Sequence, residues 1–439
     1  MREIFRKYDV RGVYPKEIDE DVVRDIGRAT GTLLGKRRIV VGRDGRLSSP
    51  SLEKALIEGL TDSGIDVISL GLVPTPVLTF NARNFDGGIM ITASHNPPEF
   101  NGLKFITSDG SILPFETREE IRNIAEKKEF EKGKGNVTEY DGISVYTRRL
   151  EEMLKIKKRF RIVVDFGNGA GSTLLNFLSR YSEVIPLNDE IDGNFPGRGP
   201  VPTEETLKEA EKRVVEEGAD FGVGFDGDAD RVVFIDDEGN VVDANRVFCL
   251  FAKEMMKRGK NIFVVSIDAS RILEEYLQGA EIRRTKVGLP FIIEGVNETG
   301  AVLGMEPSNH WYFPEFQIYS DTLYPVLFMM KVLEENERNL SEMISELPKT
   351  EIVTYKIPVP ERFKSLLLKE LVKQIPEKAN RTDGLLFRDG EASVLLRPSN
   401  TEPLARMVVE ADSREVAKKI GEKYRKMCDE VLRNLGAMN

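Results

Sequence analysis

The sequence predicts an α/β protein built from three similar α/β domains and a smaller C-terminal α+β domain. Short apolar runs alternate with amphipathic helical segments over most of the chain, which is the pattern of repeated strand and helix units. From about residue 350 the order changes to a strand, a helix, closely spaced strands and a final helix, a pattern typical of α+β domains. The 439 residues also exceed what one hydrophobic core normally serves.

The first predicted domain covers residues 1–142. Its apolar runs "RIVVGRD", "DVISLG" and "GGIMITA" predict strands, and "SPSLEKALIEGLTDSG" predicts a helix with a polar start and a glycine stop. A polar, glycine-containing stretch at 133–142 indicates the boundary. The second domain, 143–244, begins with the strand "RIVVDFG" and contains a helix predicted over "TEETLKEAEKRVVEEG".

The third predicted domain covers residues 245–349 and the fourth covers residues 350–439. In the third, the strand "NIFVVSID" is followed by helices, the last of them one long helix through "LYPVLFMMKVLEENERNLSEMISELP". In the fourth, "EIVTYKIP", "GLLFRDG", "ASVLLRPS" and "ARMVVEAD" predict strands.

The composition excludes several classes of protein. A formal charge of -10 argues against a nucleic-acid partner, and the longest apolar stretch, around "RVFCLFAKEMM", is too short to span a membrane. The two cysteines, Cys249 and Cys428, lie far apart, which excludes a disulfide framework and a zinc site. The charged N-terminus lacks an apolar leader segment. We therefore expect a cytoplasmic protein, monomeric or homo-oligomeric, that binds a small molecule and neither nucleic acid nor membranes.

The loop after "GIMIT" places Ser94 where a predicted strand ends. The following His95 and Asn96 precede two prolines, Pro97 and Pro98, which exclude a helix or a central strand and stiffen the loop. Such a loop holds a hydroxyl for attack or for carrying a group, although a proline-rich surface turn is the alternative. A Ser-His-Asp hydrolase is disfavoured, because the G-x-S-x-G motif is missing and an adjacent histidine rarely reaches its neighbour's hydroxyl.

Three aspartates alternate with small residues in "FDGDADRV". If this segment is extended, Asp226, Asp228 and Asp230 project from the same side. Carboxylates that lie so near one another repel strongly and require a cation between them. Oxygen ligands favour a hard ion such as Mg²⁺, with a solvated turn as the alternative. Arg231 excludes an EF-hand, and the strand that follows excludes a dinucleotide-binding loop.

Two further loops carry dense polar groups. In "GMEPSNHWYF", the residues Glu306, Ser308, Asn309 and His310 suit a hydroxyl-rich ligand; the alternative is a polar loop anchored by Trp311. In "RPSNTEP", a guanidinium and a tight turn with hydroxyl and amide donors suit a phosphate, and a solvated hairpin tip is the alternative. Because the four loops come from four predicted domains, we expect one central cleft that binds a phosphorylated polyol.

The motifs "YDVRG", "TASHNPPEFNGLKF", "DGDADR", "EPSNH" and "RPSNTEP" occur in this order along the chain. In these motifs the sequence resembles the α-D-phosphohexomutase superfamily, which includes phosphomannomutase, phosphoglucomutase and phosphoglucosamine mutase. The resemblance implies that Ser94 is carried as phosphoserine and gives its phosphoryl group to a sugar phosphate. The bisphosphorylated sugar then turns over and returns its other phosphate to Ser94.

The resemblance also implies a role for each matching residue. Mg²⁺ would be held by the three aspartates and an oxygen of phosphorylated Ser94, and a hexose 1,6-bisphosphate would be activator and intermediate. Lys104 matches a proposed general base. The catalytic residues implied are Ser94, Lys104, Arg11, His95 and His310. The substrate-binding residues implied are Tyr8, Arg231, Lys286, Glu306, Ser308, Arg397, Ser399, Asn400 and Thr401.

The expected substrate is a hexose phosphate, with glucose or mannose phosphate first. Phosphoglucosamine mutase and phosphopentomutase activities are alternatives within the same reaction class. A non-catalytic phosphosugar-binding protein and a serine phosphatase are alternatives from other functional classes. Met305, Asn309 and Leu289 stand where relatives often have glycine or polar residues, so we expect added bulk near the sugar.

Overall fold

The computed structural model describes residues 1, 3–375, 378–399 and 403–437, which form two compact units. The larger unit consists of Met1–Glu254, Val302–Gly304 and Ser308–Ser345. The smaller unit consists of Met255–Ala301, Met305–Pro307 and Glu346–Asn439. The predicted mixture of α/β domains with a C-terminal α+β domain is confirmed.

The first sheet of the larger unit has six strands in the order β1-β5-β4-β2-β3-β6. β2 runs parallel to β3 and β4, whereas β5 is antiparallel to β4 and β1. The strands are β1 (Val10–Val13), β2 (Arg38–Arg43), β3 (Asp66–Leu72), β4 (Gly88–Ile91), β5 (Phe100–Ile106) and β6 (Val137–Glu139). The helices are α1 (Glu20–Leu34), α2 (Ser49–Asp62), α3 (Thr75–Ala82), α4 (Phe115–Lys127) and α5 (Gly142–Met153).

The second sheet of the larger unit has five strands in the order β11-β10-β9-β7-β8. They are β7 (Phe160–Asp165), β8 (Ser182–Leu187), β9 (Phe221–Phe225), β10 (Val232–Ile235) and β11 (Val241–Val242), with helices α6 (Leu175–Tyr181), α7 (Lys208–Glu217) and α8 (Ala244–Lys257). The helix predicted from Thr203 begins five residues later. The Thr206 hydroxyl donates to the carbonyl of Val201, and the Thr206 amide donates to Thr203, so a turn replaces the first helical turn.

The third region contains five strands and four helices. They are β12 (Ile262–Ser266), α9 (Ile272–Tyr276), β13 (Glu281–Thr285), α10 (Leu289–Thr299), β14 (Leu303–Glu306), β15 (His310–Phe313), β16 (Gln317–Asp321), α11 (Leu323–Asn336) and α12 (Leu340–Ser345). β12 and β13 pair in parallel, and β15 and β16 form a hairpin. The prediction of one long final helix is wrong. Glu337 adopts a left-handed backbone, with φ 52°, and separates α11 from α12.

The C-terminal sheet lies in the smaller unit and is entirely antiparallel, with the order β17-β20-β19-β18. Its elements are β17 (Glu351–Pro358), α13 (Lys364–Leu371), β18 (Leu385–Asp389), β19 (Ala392–Pro398), β20 (Leu404–Ala411) and α14 (Arg414–Asn434). α14 packs its apolar face on this sheet through Tyr424, Cys428 and Leu432. Within the described ranges, the helices are all too short or too polar to cross a membrane.

Candidate active site

Ser94 lies just beyond the carboxyl end of β4, where the sequence predicts it. Its side chain is buried, with 3% of the residue's surface exposed. Its backbone has φ 49°, in the left-handed region that a residue with a side chain adopts only at a cost. The Ser94 amide donates to the Thr92 hydroxyl at 2.8 Å. The serine is therefore held in an unfavourable backbone conformation on a fixed loop.

The Ser94 hydroxyl has two neighbours. It donates to Oδ2 of Asp226 at 2.9 Å, and it lies 3.2 Å from Nδ1 of His95. The expectation that the adjacent histidine does not reach the hydroxyl is wrong, because the left-handed turn at Ser94 brings the two side chains together. Burial, and then the charges of Arg231 and Arg11, lower the pKa of His95 to about 3. His95 is thus a neutral imidazole near neutral pH.

The three aspartates converge, although not in the way the sequence suggested. The expectation of an extended segment is wrong: residues 226–230 form a turn, with Ala229 at φ 52° and its amide donating to the Asp226 carbonyl. Oδ1 of Asp226 accepts from the amides of Asp230 and Arg231. One carboxylate oxygen from each aspartate lies within 4.8 Å of the others. The three carboxylates lie close together because the backbone of this turn folds around the Asp226 side chain.

This cluster fits a hard divalent cation. All three side chains are buried, and Oδ1 of Asp228 and of Asp230 lack a hydrogen-bond partner. Burial, and then the charges of Asp230 and Asp228, raise the pKa of Asp226 well above its usual value. Buried, unpaired carboxylate oxygens are costly, and oxygen-only donor sets favour Mg²⁺. The residues present therefore suit the metal that the sequence predicts.

Lys104, on β5, supplies a positive charge to this cluster. Its Nζ donates to Oδ2 of Asp228 at 2.7 Å and to Oδ2 of Asp230 at 2.6 Å. Burial alone would lower the pKa of Lys104, but the two carboxylates outweigh burial and hold it well above its usual value. In this arrangement Lys104 is an ammonium ion, so acting as a base requires that its contacts with the aspartates be loosened first.

Two arginines and the second histidine complete the polar surroundings. Arg11 donates to Oδ1 of Asn96 at 2.6 Å and pairs with Asp9. Arg231 donates to Nε2 of His310 at 3.2 Å, and Nδ1 of His310 lies 2.9 Å from the Ser308 hydroxyl. These contacts place both histidines and both predicted arginines in the larger unit. The predicted Tyr8 is half-buried in the same unit, under Nζ of Lys7.

Several residues that position the acidic turn were not predicted. Thr75, at the start of α3, donates its hydroxyl to Oδ2 of Asp228 at 2.6 Å. From the β15–β16 hairpin, Ser320 donates to the Asp230 carbonyl, and Trp311 donates its indole N–H to Val232. Thr75 follows an apolar run and a proline, so its place at a strand end could have indicated it; the hairpin contacts have no such signature.

Other predicted binding residues lie in the smaller unit. Glu306 is 4% exposed and accepts from the Gly288 amide at 2.8 Å. Gly288 has φ 129°, which favours glycine at this position. Lys286 is exposed and lies over the Phe291 ring. The side chain of Met305 is fully buried.

The predicted phosphate loop borders a cavity of about 320 Å³. Its lining includes Arg397, Ser399, Arg406 and Asp268, of which Asp268 and Arg406 were not predicted. Arg397 pairs with Oδ2 of Asp383 at 2.9 Å. Asn400 and Thr401, the other two residues predicted for this loop, lie outside the described residues.

Known protein families match most of the chain. Residues 2–132, 144–239 and 243–350 match the phosphoglucomutase/phosphomannomutase alpha/beta/alpha domains I, II and III, and residues 355–427 match the C-terminal domain of the same family. The chain belongs to the phosphoglucomutase/phosphomannomutase family.

Relatives of the phosphoglucomutase/phosphomannomutase family align with nearly the whole chain. A "Probable phosphoglucosamine mutase" of Methanosarcina acetivorans is 34% identical, covering 98% of this chain and 100% of the relative. A "Phosphoglucomutase/phosphomannomutase" of Thermococcus kodakarensis is 36% identical, covering 99% and 100%. The crystal structure of a phosphoglucomutase/phosphomannomutase family protein from Burkholderia thailandensis has a TM-score of 0.91 and 30% identity, covering 99% and 98%. The chain is accordingly a phosphomutase, an enzyme of the isomerase class.

Asn309 adopts a backbone conformation that few residues other than glycine tolerate. It has φ 67°, and its carbonyl accepts from the Val232 amide. Glycine is favoured at such a conformation, and asparagine is among the few other residues that tolerate it. The asparagine therefore preserves the turn instead of remodelling it.

Proposed function

We propose that this enzyme moves a phosphoryl group between the 1- and 6-oxygens of a hexose phosphate, with Ser94 as the carrier. The observation that supports this most directly is the 2.9 Å hydrogen bond between the Ser94 hydroxyl and Asp226 of the acidic cluster. It joins a buried, stiffly held nucleophile to a set of carboxylates suited to a divalent cation. That pairing is the arrangement that phosphoryl transfer requires.

In the first half-reaction, the P–O bond to Ser94 Oγ breaks and a new P–O bond forms to a hydroxyl oxygen of the sugar phosphate. The sugar hydroxyl gives up its proton, and the serine oxygen leaves as an alkoxide that takes up a proton. The product is a hexose 1,6-bisphosphate. The second half-reaction is the reverse with the sugar turned round, so that the other phosphate returns to Ser94.

Asp226, Asp228 and Asp230 would hold Mg²⁺, together with an oxygen of the phosphorylated Ser94. When bound, Mg²⁺ would neutralise negative charge on the phosphoryl group during transfer. Arg11 and Arg231 add fixed positive charge in the same unit. The neutral His95, 3.2 Å from the serine oxygen, can donate or accept a hydrogen bond there according to its tautomer.

In the smaller unit, we assign the substrate contacts to Glu306, Lys286 and the phosphate loop. Glu306 is buried and accepts from the Gly288 amide, so its carboxylate is held in a fixed position from which it can accept hydrogen bonds from sugar hydroxyls. Arg397 is oriented by Asp383, and its guanidinium would bind the phosphate that is not reacting.

Two hexose classes are candidates. Glucose and mannose phosphates suit a site whose groups accept from and donate to hydroxyls. Glucosamine phosphate is the second candidate, because relatives such as that of Methanosarcina acetivorans carry the name phosphoglucosamine mutase and because the Glu306 carboxylate can pair with an ammonium group. A carboxylate serves both classes, so geometry alone favours neither.

The test is a comparison of kcat/KM for the 1-phosphates of glucose, mannose, glucosamine and ribose, with Ser94→Ala as the inactive control. We expect a hexose to be preferred and the 6-phosphate to be the product. A preference for ribose 1-phosphate would overturn the hexose assignment. Release of inorganic phosphate in place of the isomerised sugar phosphate would indicate a phosphatase and overturn the mutase assignment.

A further inference from the structure

Arg46 is a buried arginine that donates to the backbone of the Ser94 loop. It follows β2 in the sequence "RDGRLSS" and is 1% exposed. Its two terminal nitrogens donate to four carbonyls of the loop, at 2.7–2.9 Å. The acceptors are the carbonyl oxygens of Ser94, Asn96, Pro97 and Phe100. The guanidinium therefore gathers the carbonyls of one short, proline-containing loop around a single positive charge.

The remaining nitrogen of this guanidinium is also used. Nε of Arg46 donates to Oδ2 of Asp44 at 3.1 Å, and Asp44 is fully buried. The same oxygen accepts from the Thr92 hydroxyl at 2.8 Å, and that hydroxyl accepts from the Ser94 amide at 2.8 Å. Ser94 is thus tethered on both sides: its carbonyl binds Arg46 directly, and its amide reaches Asp44 through Thr92.

These tethers explain how Ser94 keeps an unfavourable backbone. A non-glycine residue at φ 49° is strained and persists only where the surroundings fix it. Carbonyl dipoles that point at one place also repel each other unless a cation lies between them. Arginine offers five donors in one plane, whereas lysine offers three on a single atom. Lysine cannot replace this set of contacts.

The Ser94 carbonyl also lies against the acidic turn. A side chain at Gly227 would place its Cβ 2.8 Å from that carbonyl oxygen, so the two loops touch through backbone atoms. A shift of the Ser94 carbonyl would therefore move the serine relative to Asp226, with which it shares the 2.9 Å contact. Among the described residues, the Arg46 side chain donates to the loop carbonyls and to Asp44, and its guanidinium lies over the Phe195 ring.

We propose that Arg46 is a positioning residue for phosphoryl transfer, which holds Ser94 in its left-handed conformation without touching the substrate. This inference rests on the proposed function, in which Ser94 carries the phosphoryl group. A positioning role for Arg46 predicts a specific effect on the kinetic constants. Loss of the tether misplaces the nucleophile, so kcat falls, while KM, which depends on contacts with the sugar phosphate, changes little.

The experiment compares Arg46→Lys with Arg161→Lys. Arg161 also donates to a backbone carbonyl, that of Glu217, but it is exposed and has no contact with residues 92–100. For each variant, kcat and KM are measured, together with amide hydrogen exchange in residues 92–100. We expect R46K to lose about 100-fold in kcat, with KM within about threefold of the parent and faster exchange in the loop. R161K should match the parent in all three measurements.

Chemical rescue separates positioning from general stability. In Arg46→Ala, added guanidinium ion should restore part of the lost kcat, and the same concentration of ammonium should not. If R46K does not fold, Thr92→Val cuts the tether on the amide side, and it should lower kcat at least about tenfold with KM preserved.

A kcat for R46K within twofold of that for R161K overturns the proposal, whatever the amide exchange rates of R46K are. If R46K does not fold, an unchanged kcat in T92V overturns it. A parent enzyme without mutase activity, whose loop nevertheless exchanges faster in R46K, would overturn the proposed function and leave the tether standing.

Discussion

The ammonium group of Lys104 lies 2.7 Å from Oδ2 of Asp228. The same nitrogen contacts Asp230, so a single lysine balances two buried carboxylates of the acidic cluster. A divalent cation at the Oδ1 atoms of these aspartates would compete with Lys104 in neutralising the same two carboxylates. The site is therefore compatible with two states of charge balance, one through the lysine and one through the metal.

Removal of the lysine charge should make the protein depend on the metal for stability. Breaking a buried ion pair by removing one partner typically costs about 3–5 kcal/mol, because the other charge is left unpaired. We expect Lys104→Met to lower the unfolding temperature without Mg²⁺, and we expect Mg²⁺ to raise that temperature by more in the variant than in the parent. Thermal unfolding with and without Mg²⁺ measures this. An equal Mg²⁺-induced rise in both proteins would contradict the competition.

Removal of the metal should abolish turnover. The orphaned oxygens of Asp228 and Asp230 are the groups that a cation would satisfy. We expect chelation to stop product formation and Mg²⁺ to restore it, and we expect Asp228→Asn to need a higher Mg²⁺ concentration for half-maximal rate. Asp109→Asn, which changes an exposed aspartate, is the control. An Asp228→Asn variant with the parent's Mg²⁺ dependence would show that the cluster is not the metal site.

Arg397 should bind the phosphate that is not being transferred. A hydrogen bond to a charged group contributes about 1.5–3 kcal/mol, so Arg397→Ala should raise KM for the sugar phosphate at least about tenfold. The bisphosphate should also leave the enzyme more often before its second transfer, and trapping of released hexose 1,6-bisphosphate measures this. Arg388→Ala, at an exposed arginine of the same sheet, is the control. An unchanged KM with no extra bisphosphate release would show that Arg397 does not bind the substrate phosphate.

Glu410 should stabilise the smaller unit. It is 6% exposed and accepts from the Arg271 amide at 2.9 Å, from the Thr350 hydroxyl at 2.7 Å and from the Ser270 hydroxyl. Because Glu410→Ala removes the acceptor of three donors, two of them on the buried residues Ser270 and Arg271, we expect it to lower the free energy of unfolding by about 2–4 kcal/mol. Urea unfolding measures this, with Glu430→Ala at an exposed position of α14 as the control. A loss below that of the control would contradict the role.

The sequence predicts residues whose own chemistry marks them, whereas Arg46 and Ser320, which bind backbone carbonyls, carry no such mark. Ser94 was placed at a strand end because an apolar run precedes it, and the aspartates were recognised by their spacing. Arg46 was missed because its four acceptors are carbonyls, which every residue possesses and which only the folded loop brings together. For the same reason the acidic segment was expected to be extended: its turn depends on Asp226 accepting from two amides.

Helix boundaries show the same limit. Six polar residues, 334–339, separate the apolar residues of α11 from those of α12, and their composition does not single out the left-handed residue Glu337. The start of α7 was likewise set by a side-chain hydrogen bond, from Thr206 to the carbonyl of Val201. Apolar periodicity identifies elements, whereas local hydrogen bonds of polar side chains decide where elements begin and end.

Single-turnover transfer from Ser94 tests whether this serine carries the phosphoryl group. Enzyme carrying a ³²P-labelled phosphoryl group is mixed in excess with unlabelled glucose 1-phosphate or glucosamine 1-phosphate, quenched, and analysed by intact mass and by chromatography of the sugars. We expect the label to leave Ser94 and to appear in a hexose 1,6-bisphosphate as fast as turnover, and we expect Ser94→Ala neither to carry nor to transfer label. Label that stays on the protein while isomerised sugar phosphate accumulates would contradict this expectation.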